Sequence, residues 1–119
     1  MARRDLTGAV QFEVLESFAA HDDGVIEEVL NIFREQAAIW TPMLDVRSQG
    51  WRDAAHTVKG AAASIGAAEL TRLCGEAETA ERAVASPALD RVRDALDRVL
   101  ADIAAYQHER LLQSLRTPS

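Results

Sequence analysis

The sequence predicts an all-α fold: an up-down-up-down four-helix bundle with an additional short N-terminal helix. Three observations predict it. Alanine and leucine dominate and aromatics are only 5% of 119 residues, so helix is the local preference throughout. Apolar residues recur at spacings of three and four, the period of a helix with one buried face. The breaks between these runs are short, which makes successive helices antiparallel neighbours. A chain of this length is one domain, 1–119, and can bury enough surface to fold without staples. No internal repeat, low-complexity segment or strand signal interrupts the pattern.

The elements follow in order. Residues 6–19 (LTGAVQFEVLESFA) predict a short first helix lying across an end of the bundle, with Val10, Val14, Leu15 and Phe18 on one side. His21–Asp22–Asp23–Gly24 breaks it, and either aspartate can cap the next helix. Glu27 and Glu28 then fall near its start, where the helix dipole favours negative charge. The second helix has the clearest seam: Ile26, Leu30, Phe33, Ala37, Trp40 and Leu44, widened by Val29, Ile32 and Met43. Pro42 predicts a bend, with the register carried on to about Arg47. Trp51, Ala54, Ala55, Val58, Ala62 and Ile65 mark the buried stripe of the third helix, closed by a glycine cap at Gly66. The fourth turns Leu70, Leu73, Cys74, Ala77 and Val84 inward. Ser86–Pro87 opens the last, a good cap followed by a residue suited to the first helical position. Its stripe is Leu89, Val92, Leu96, Val99, Ile103 and Tyr106, and residues from about 112 to 119 are expected to fray.

Charge and composition exclude several functions. A net charge of −6, from 13 basic and 19 acidic side chains, argues against nucleic acid as the main partner, because phosphate backbones need a basic surface. The single cysteine, Cys74, fits a reducing compartment and reads as a small core residue. MARRDLTGAVQF has no apolar run to make it a signal peptide, and nothing later is apolar for long enough to span a bilayer. A cytoplasmic protein is expected, and a bundle that closes on itself is expected to be a monomer.

The stretch AAHTVKGAAASIGAAEL, residues 54–70, holds the residue that does not fit. At about 100° per residue, Val58 lies about 160° from His56, so the buried stripe leaves His56 on the outer face. Lys59 and Gly60, three and four residues on, are its neighbours there, and Ala63 continues the row. A histidine in a helix is usually packed or plainly solvated. Here a glycine flanks it, at a cost to the helix of about 0.5–1 kcal/mol relative to alanine. The missing side chain clears the ring for approach by another macromolecule. Lys59 places a flexible positive charge one turn away, able to meet a phosphoryl group. Free imidazole has a pKa of about 6.5, so at neutral pH its lone pair can attack phosphorus with no separate base.

These residues resemble the signature of the histidine-containing phosphotransfer (HPt) domain of multistep two-component phosphorelays. The matching run is Ala54, Ala55, His56, Thr57, Val58, Lys59, Gly60, the small residues through Ser64, then Gly66, Ala67 and Leu70. The second helix, with its proline-interrupted continuation, is similar to the family's too. The resemblance implies a phosphorelay intermediate. His56 would accept a phosphoryl group from a receiver-domain aspartate and pass it to another receiver, with Lys59 stabilising its charge and Gly60 giving access. Ala63, Ser64 and Ala67 would join the docking surface. Partners would be receiver domains and a hybrid histidine kinase. The protein itself would need no cofactor, magnesium belonging to the receiver. Ala61 stands where many members carry a hydroxyl, leaving Ser64 or water to assist the phosphoryl group. Glu78 falls near where some members place an amide that fixes the ring.

Other readings carry less. No G-x-x-x-x-G-K-[ST] loop exists, so ATP chemistry is not expected. His21 with Asp22 and Asp23 is a conceivable metal fragment but reads better as a helix start, and His108 reads as solvated. Sensor-kinase dimerisation domains follow their histidine with an acid and a proline, where this chain has Thr57 and Ala61. The alternative from another class is a helical adaptor that binds a receiver or other signalling protein without phosphotransfer.

Overall fold

A computed structural model describes residues 8–116, and five α-helices follow one another in it. They are α1 (Phe12–Phe18), α2 (Asp23–Met43), α3 (Trp51–Ile65), α4 (Ala68–Glu78) and α5 (Arg82–Arg116). α2 packs on α3, α3 on α4, α4 on α5, and α5 returns to α2, so four helices close a ring; α1 rests on α3. The long axis of 56 Å is set by α5, whose 35 residues span roughly 52 Å at 1.5 Å per residue.

The predicted stripes form the core. Ile26, Leu30, Phe33, Ala37, Trp40 and Leu44 from α2 and its cap are buried, as are all six stripe residues of α3 and the six named on α5. Phe33 and Trp40 meet edge to face, their centroids 5.4 Å apart. Both tryptophans are core anchors. Small residues on α3 (Ala54, Ala55, Ala62) and on α4 (Cys74, Ala77) belong to one buried cluster, and small side chains let two packed helices come close.

The start of the chain departs from the expectation of a helix over 6–19. Helix α1 begins only at Phe12; residues 6 and 7 lie outside the described residues. The Ala9 N–H donates to Asp102 Oδ2 of α5 at 3.0 Å, and the Gln11 N–H to the Gly66 carbonyl at 2.9 Å. Tertiary acceptors take the donors a helix would have used. The buried face differs too. Phe12, Leu15 and Val10 are inside, whereas Val14 and Phe18 are exposed. Phe12 stacks on Tyr106 at 4.0 Å, which seats α1 at the end of the bundle where α3 stops. There Gly66 takes φ +85, and a Cβ on it would stand 2.4 Å from the Gln11 carbonyl oxygen. Only glycine satisfies both the turn and the approach.

Asp22 caps α2, accepting from the Val25 N–H at 3.1 Å. The helix does not run on to Arg47. It ends at Met43, one residue after Pro42, and the Leu44 carbonyl accepts instead from the Arg93 guanidinium of α5. Ile32 and Met43 are exposed rather than widening the seam. Asp45 then grips Arg47 through Nε at 3.0 Å and Nη2 at 2.7 Å, which holds its carboxyl well below the usual range.

Helix α4 stops at Glu78, so Val84 belongs to α5 and is exposed. Ser86–Pro87 does not open the last helix. It begins at Arg82 and carries Pro87 inside it. Ala85, one residue before the expected cap at Ser86, is already buried, and the carbonyl that loses its partner belongs to exposed Ala83. Residues 112–116 remain helical rather than frayed; 117–119 lie outside the described residues. No described helix is long and apolar enough to cross a membrane.

Candidate functional site

His56 sits midway along α3 with its side chain 67% exposed. The buried stripe that fixes α3 in the bundle also fixes this outward direction. Gly60 is exposed one turn on, and nothing lies within 4 Å of where its Cβ would be. Space beside the ring is therefore open. Ala63 and Ser64 continue the exposed face, and beyond them Gln11, Val14, Ala63, Ala68 and Thr71 line a shallow hollow. Ala67 is fully buried where the chain turns from α3 into α4 and lines the same hollow. The Ser64 hydroxyl donates to the Ala61 carbonyl at 2.7 Å, so its proton is committed to its own helix.

What completes the site comes from α4. His56 Nδ1 lies 2.7 Å from Glu78 Oε2, and Lys59 Nζ lies 2.7 Å from Glu78 Oε1. One carboxylate thus joins the ring and the ammonium. The Lys59 ammonium first, and the His56 ring beside it, hold the Glu78 carboxyl below the usual carboxylate range, against the opposing effect of its partial burial. Gly75, one turn earlier on α4, lies under the Lys59 stem, 3.8 Å from where a Cβ would stand. Lys59 is accordingly half-covered and aimed at Glu78.

The electrostatics follow from position. Glu78 is the last residue of α4, where the helix dipole and free carbonyls disfavour a negative charge and favour cations. Two cations are there. Lys59 meets the carboxylate, and Arg52 of α3 donates to the Glu78 carbonyl at 2.7 Å and the Ala80 carbonyl at 2.9 Å. Cys74 is buried behind this group; burial first, then the Glu78 charge, pushes its thiol up to about 12, with Lys59 opposing. It is an inert core residue.

The arrangement dictates which nitrogen can react. A carboxylate only accepts, so a neutral ring touching Glu78 carries its proton on Nδ1. The lone pair is then on Nε2, the atom turned away from α4. That is a nucleophile with its tautomer fixed and its approach clear. His56, Lys59 and Gly60 are brought together as the sequence predicts. Glu78 and Arg52 are the residues that sequence reasoning undervalued. The signal for Glu78 was its pairing with Gly75 on one face of a helix. No feature of the sequence pattern singles out Arg52. His21 lies in the tight turn before α2 at φ 59, and His108 is exposed on α5. Among the described residues no group of three His, Cys, Asp or Glu side chains could hold a metal ion.

Comparison with known proteins agrees with this geometry. The family model for the Hpt domain matches residues 13–102. The crystal structure of the histidine phosphotransferase ShpA from Caulobacter crescentus is similar over 91% of this chain and 99% of that one, with 55% sequence identity and a TM-score of 0.81. No curated protein matches the chain.

Proposed function

The chain belongs to the Hpt domain family and is a phosphorelay intermediate, and from that premise we propose that His56 carries the phosphoryl group on Nε2. The observation that supports this most directly is the 2.7 Å contact of Nδ1 with Glu78, on a ring otherwise open to solvent. Receiver domains and histidine kinases are the partners the family works with. In the forward step the Nε2 lone pair attacks the phosphorus of a receiver's aspartyl phosphate. The bond from phosphorus to the carboxylate oxygen breaks, and that carboxylate leaves with the electron pair. The ring keeps its Nδ1 proton, and the positive charge it gains faces the Glu78 carboxylate. In the return step a second receiver's aspartate attacks phosphorus, and Nε2 takes the electron pair back.

Lys59 follows the phosphoryl oxygens as they arrive, moving from Glu78 to the new dianion one turn from the ring. Gly60 leaves the partner room. Ala63 and Ser64 lie under the docked receiver, which supplies the magnesium and the acidic pocket. The protein acts as a monomer in the cytoplasm; the buried thiol of Cys74 suits a reducing compartment.

Incubation with a radiolabelled phospho-receiver tests this. Label is expected on the wild-type chain as an acid-labile, base-stable species and is expected to be absent from His56→Gln, with helicity unchanged. Labelling of His56→Gln would place the phosphoryl group on another residue, and no label from any receiver tried would favour an adaptor without phosphotransfer.

A further inference from the structure

We propose that Arg52 is a positioning residue for phosphoryl transfer: by gripping the C-terminal end of α4 it sets where Glu78 meets the His56 ring. This rests on the reading of His56 as the phosphoryl carrier. The last carbonyls of a helix have no partners of their own. At the end of α4 two carbonyls of the exit, those of Glu78 and Ala80, are taken by the two arms of one guanidinium, at 2.7 and 2.9 Å. Glu78 is therefore held through its backbone by Arg52 while its side chain meets His56 and Lys59. Arg52 and His56 are four residues apart on α3, on adjoining turns of one face. One helix thus presents the ring and also clamps the residue that orients it. The clamp is itself aimed. The guanidinium lies 4.2 Å from the centroid of the Trp51 ring, and Trp51 is buried at the start of α3, so a fixed aromatic face orients the fork.

Loosening the clamp frees the end of α4 and lets the His56 ring exchange its tautomers. Nitrogen NMR of His56 at about pH 8.5, where imidazole is neutral, reads this without any partner protein. Arg52→Met is expected to lower the Nδ1-protonated population and to slow phosphoryl transfer on the order of tenfold. Arg52→Lys, which keeps the charge and one donor arm, is expected to restore part of both. In a Glu78→Ala background Arg52→Met is expected to add nothing, because the residue through which it acts is gone. Wild-type tautomer and rate in Arg52→Met overturn the proposal, as does an equal slowing with and without Glu78, which marks a merely structural role. If the wild-type chain is labelled on His56 while these outcomes hold, only the role of Arg52 falls. If His56 is never labelled, the parent reading falls with it.

Discussion

Two carboxylates each accept a bond from a ring donor in this molecule, and they do opposite work. At the end of the bundle Tyr106 donates its hydroxyl to Glu16 at 2.5 Å, with Phe12 stacked on its face. Arg110 donates to the same hydroxyl at 3.3 Å and pairs with Asp23 at 2.6 Å. The ring is buried, one face is stacked and its polar atom is in use, and α1, α2 and α5 are tied together. At the middle of α3 the His56 ring gives one atom to Glu78 and leaves the rest open. The difference is exposure and the number of polar atoms on the ring. A phenol has one, and once it is bonded the ring is finished as a chemical group. An imidazole has two, and bonding one defines the other.

This contrast can be broken in order of effect. Tyr106→Ala removes a buried aromatic and should destabilise the fold by about 3–5 kcal/mol, while transfer by the molecules that remain folded keeps its wild-type rate. Urea unfolding and single-turnover transfer measure the two. Glu78→Ala should do the reverse. Transfer slows roughly 10–100-fold, and stability changes little because the pairs it breaks are partly solvated. A large loss of stability in that variant would erase the distinction between the two carboxylates.

The two regions should also respond at opposite ends of the pH scale. Burial, then the bond to Glu16, pushes the Tyr106 hydroxyl up to about 12, above the ordinary value of about 10. The folded state holds that proton more tightly, so its contribution is complete below pH 10 and is lost as pH rises toward 12. Glu78 is lowered. Its pairing is complete above the ordinary glutamate range and is lost as pH falls through the lowered value. Alkaline unfolding curves of wild type and Tyr106→Phe should therefore converge near the top of that range. Acid unfolding curves of wild type and Glu78→Ala should instead converge as pH falls through the lowered Glu78 value.

Gly60 gives the smallest effect and the sharpest separation of stability from function. Gly60→Ala meets no atom and should stabilise the helix by about 0.5–1 kcal/mol. The same methyl beside the ring should slow transfer, and Gly60→Gln should slow it further. Equal transfer rates across the three proteins would show that access is not what the glycine supplies.

Most of the fold was legible because buried stripes are local. The seams of α2, α3 and α5 can be counted along the sequence, and each is buried. The exposed direction of His56 follows from the same count. Element ends were not local. Helix α1 starts late because Asp102, far along the chain, and Gly66 take its backbone donors. Helix α5 starts early because Ala85 has a core to join before Pro87 is reached. Phe12 and Phe18 look alike in sequence, and only Tyr106 decides which is buried. The resemblance points to Glu78, but its contact with His56, and the role of Arg52, were not legible for a related reason. Their partners lie across the α3–α4 contact, 22 and 26 residues away. Whether they meet depends on where α4 stops, and periodicity fixes that poorly.

The most direct test of the account is the position of the phosphorus–nitrogen bond in the phosphorylated protein, read by phosphorus–nitrogen coupling on nitrogen-labelled histidine. A bond at Nε2 of His56, with Nδ1 still facing Glu78, is the predicted result. A bond at Nδ1 would contradict it, because that atom would have to leave the carboxylate before it could react.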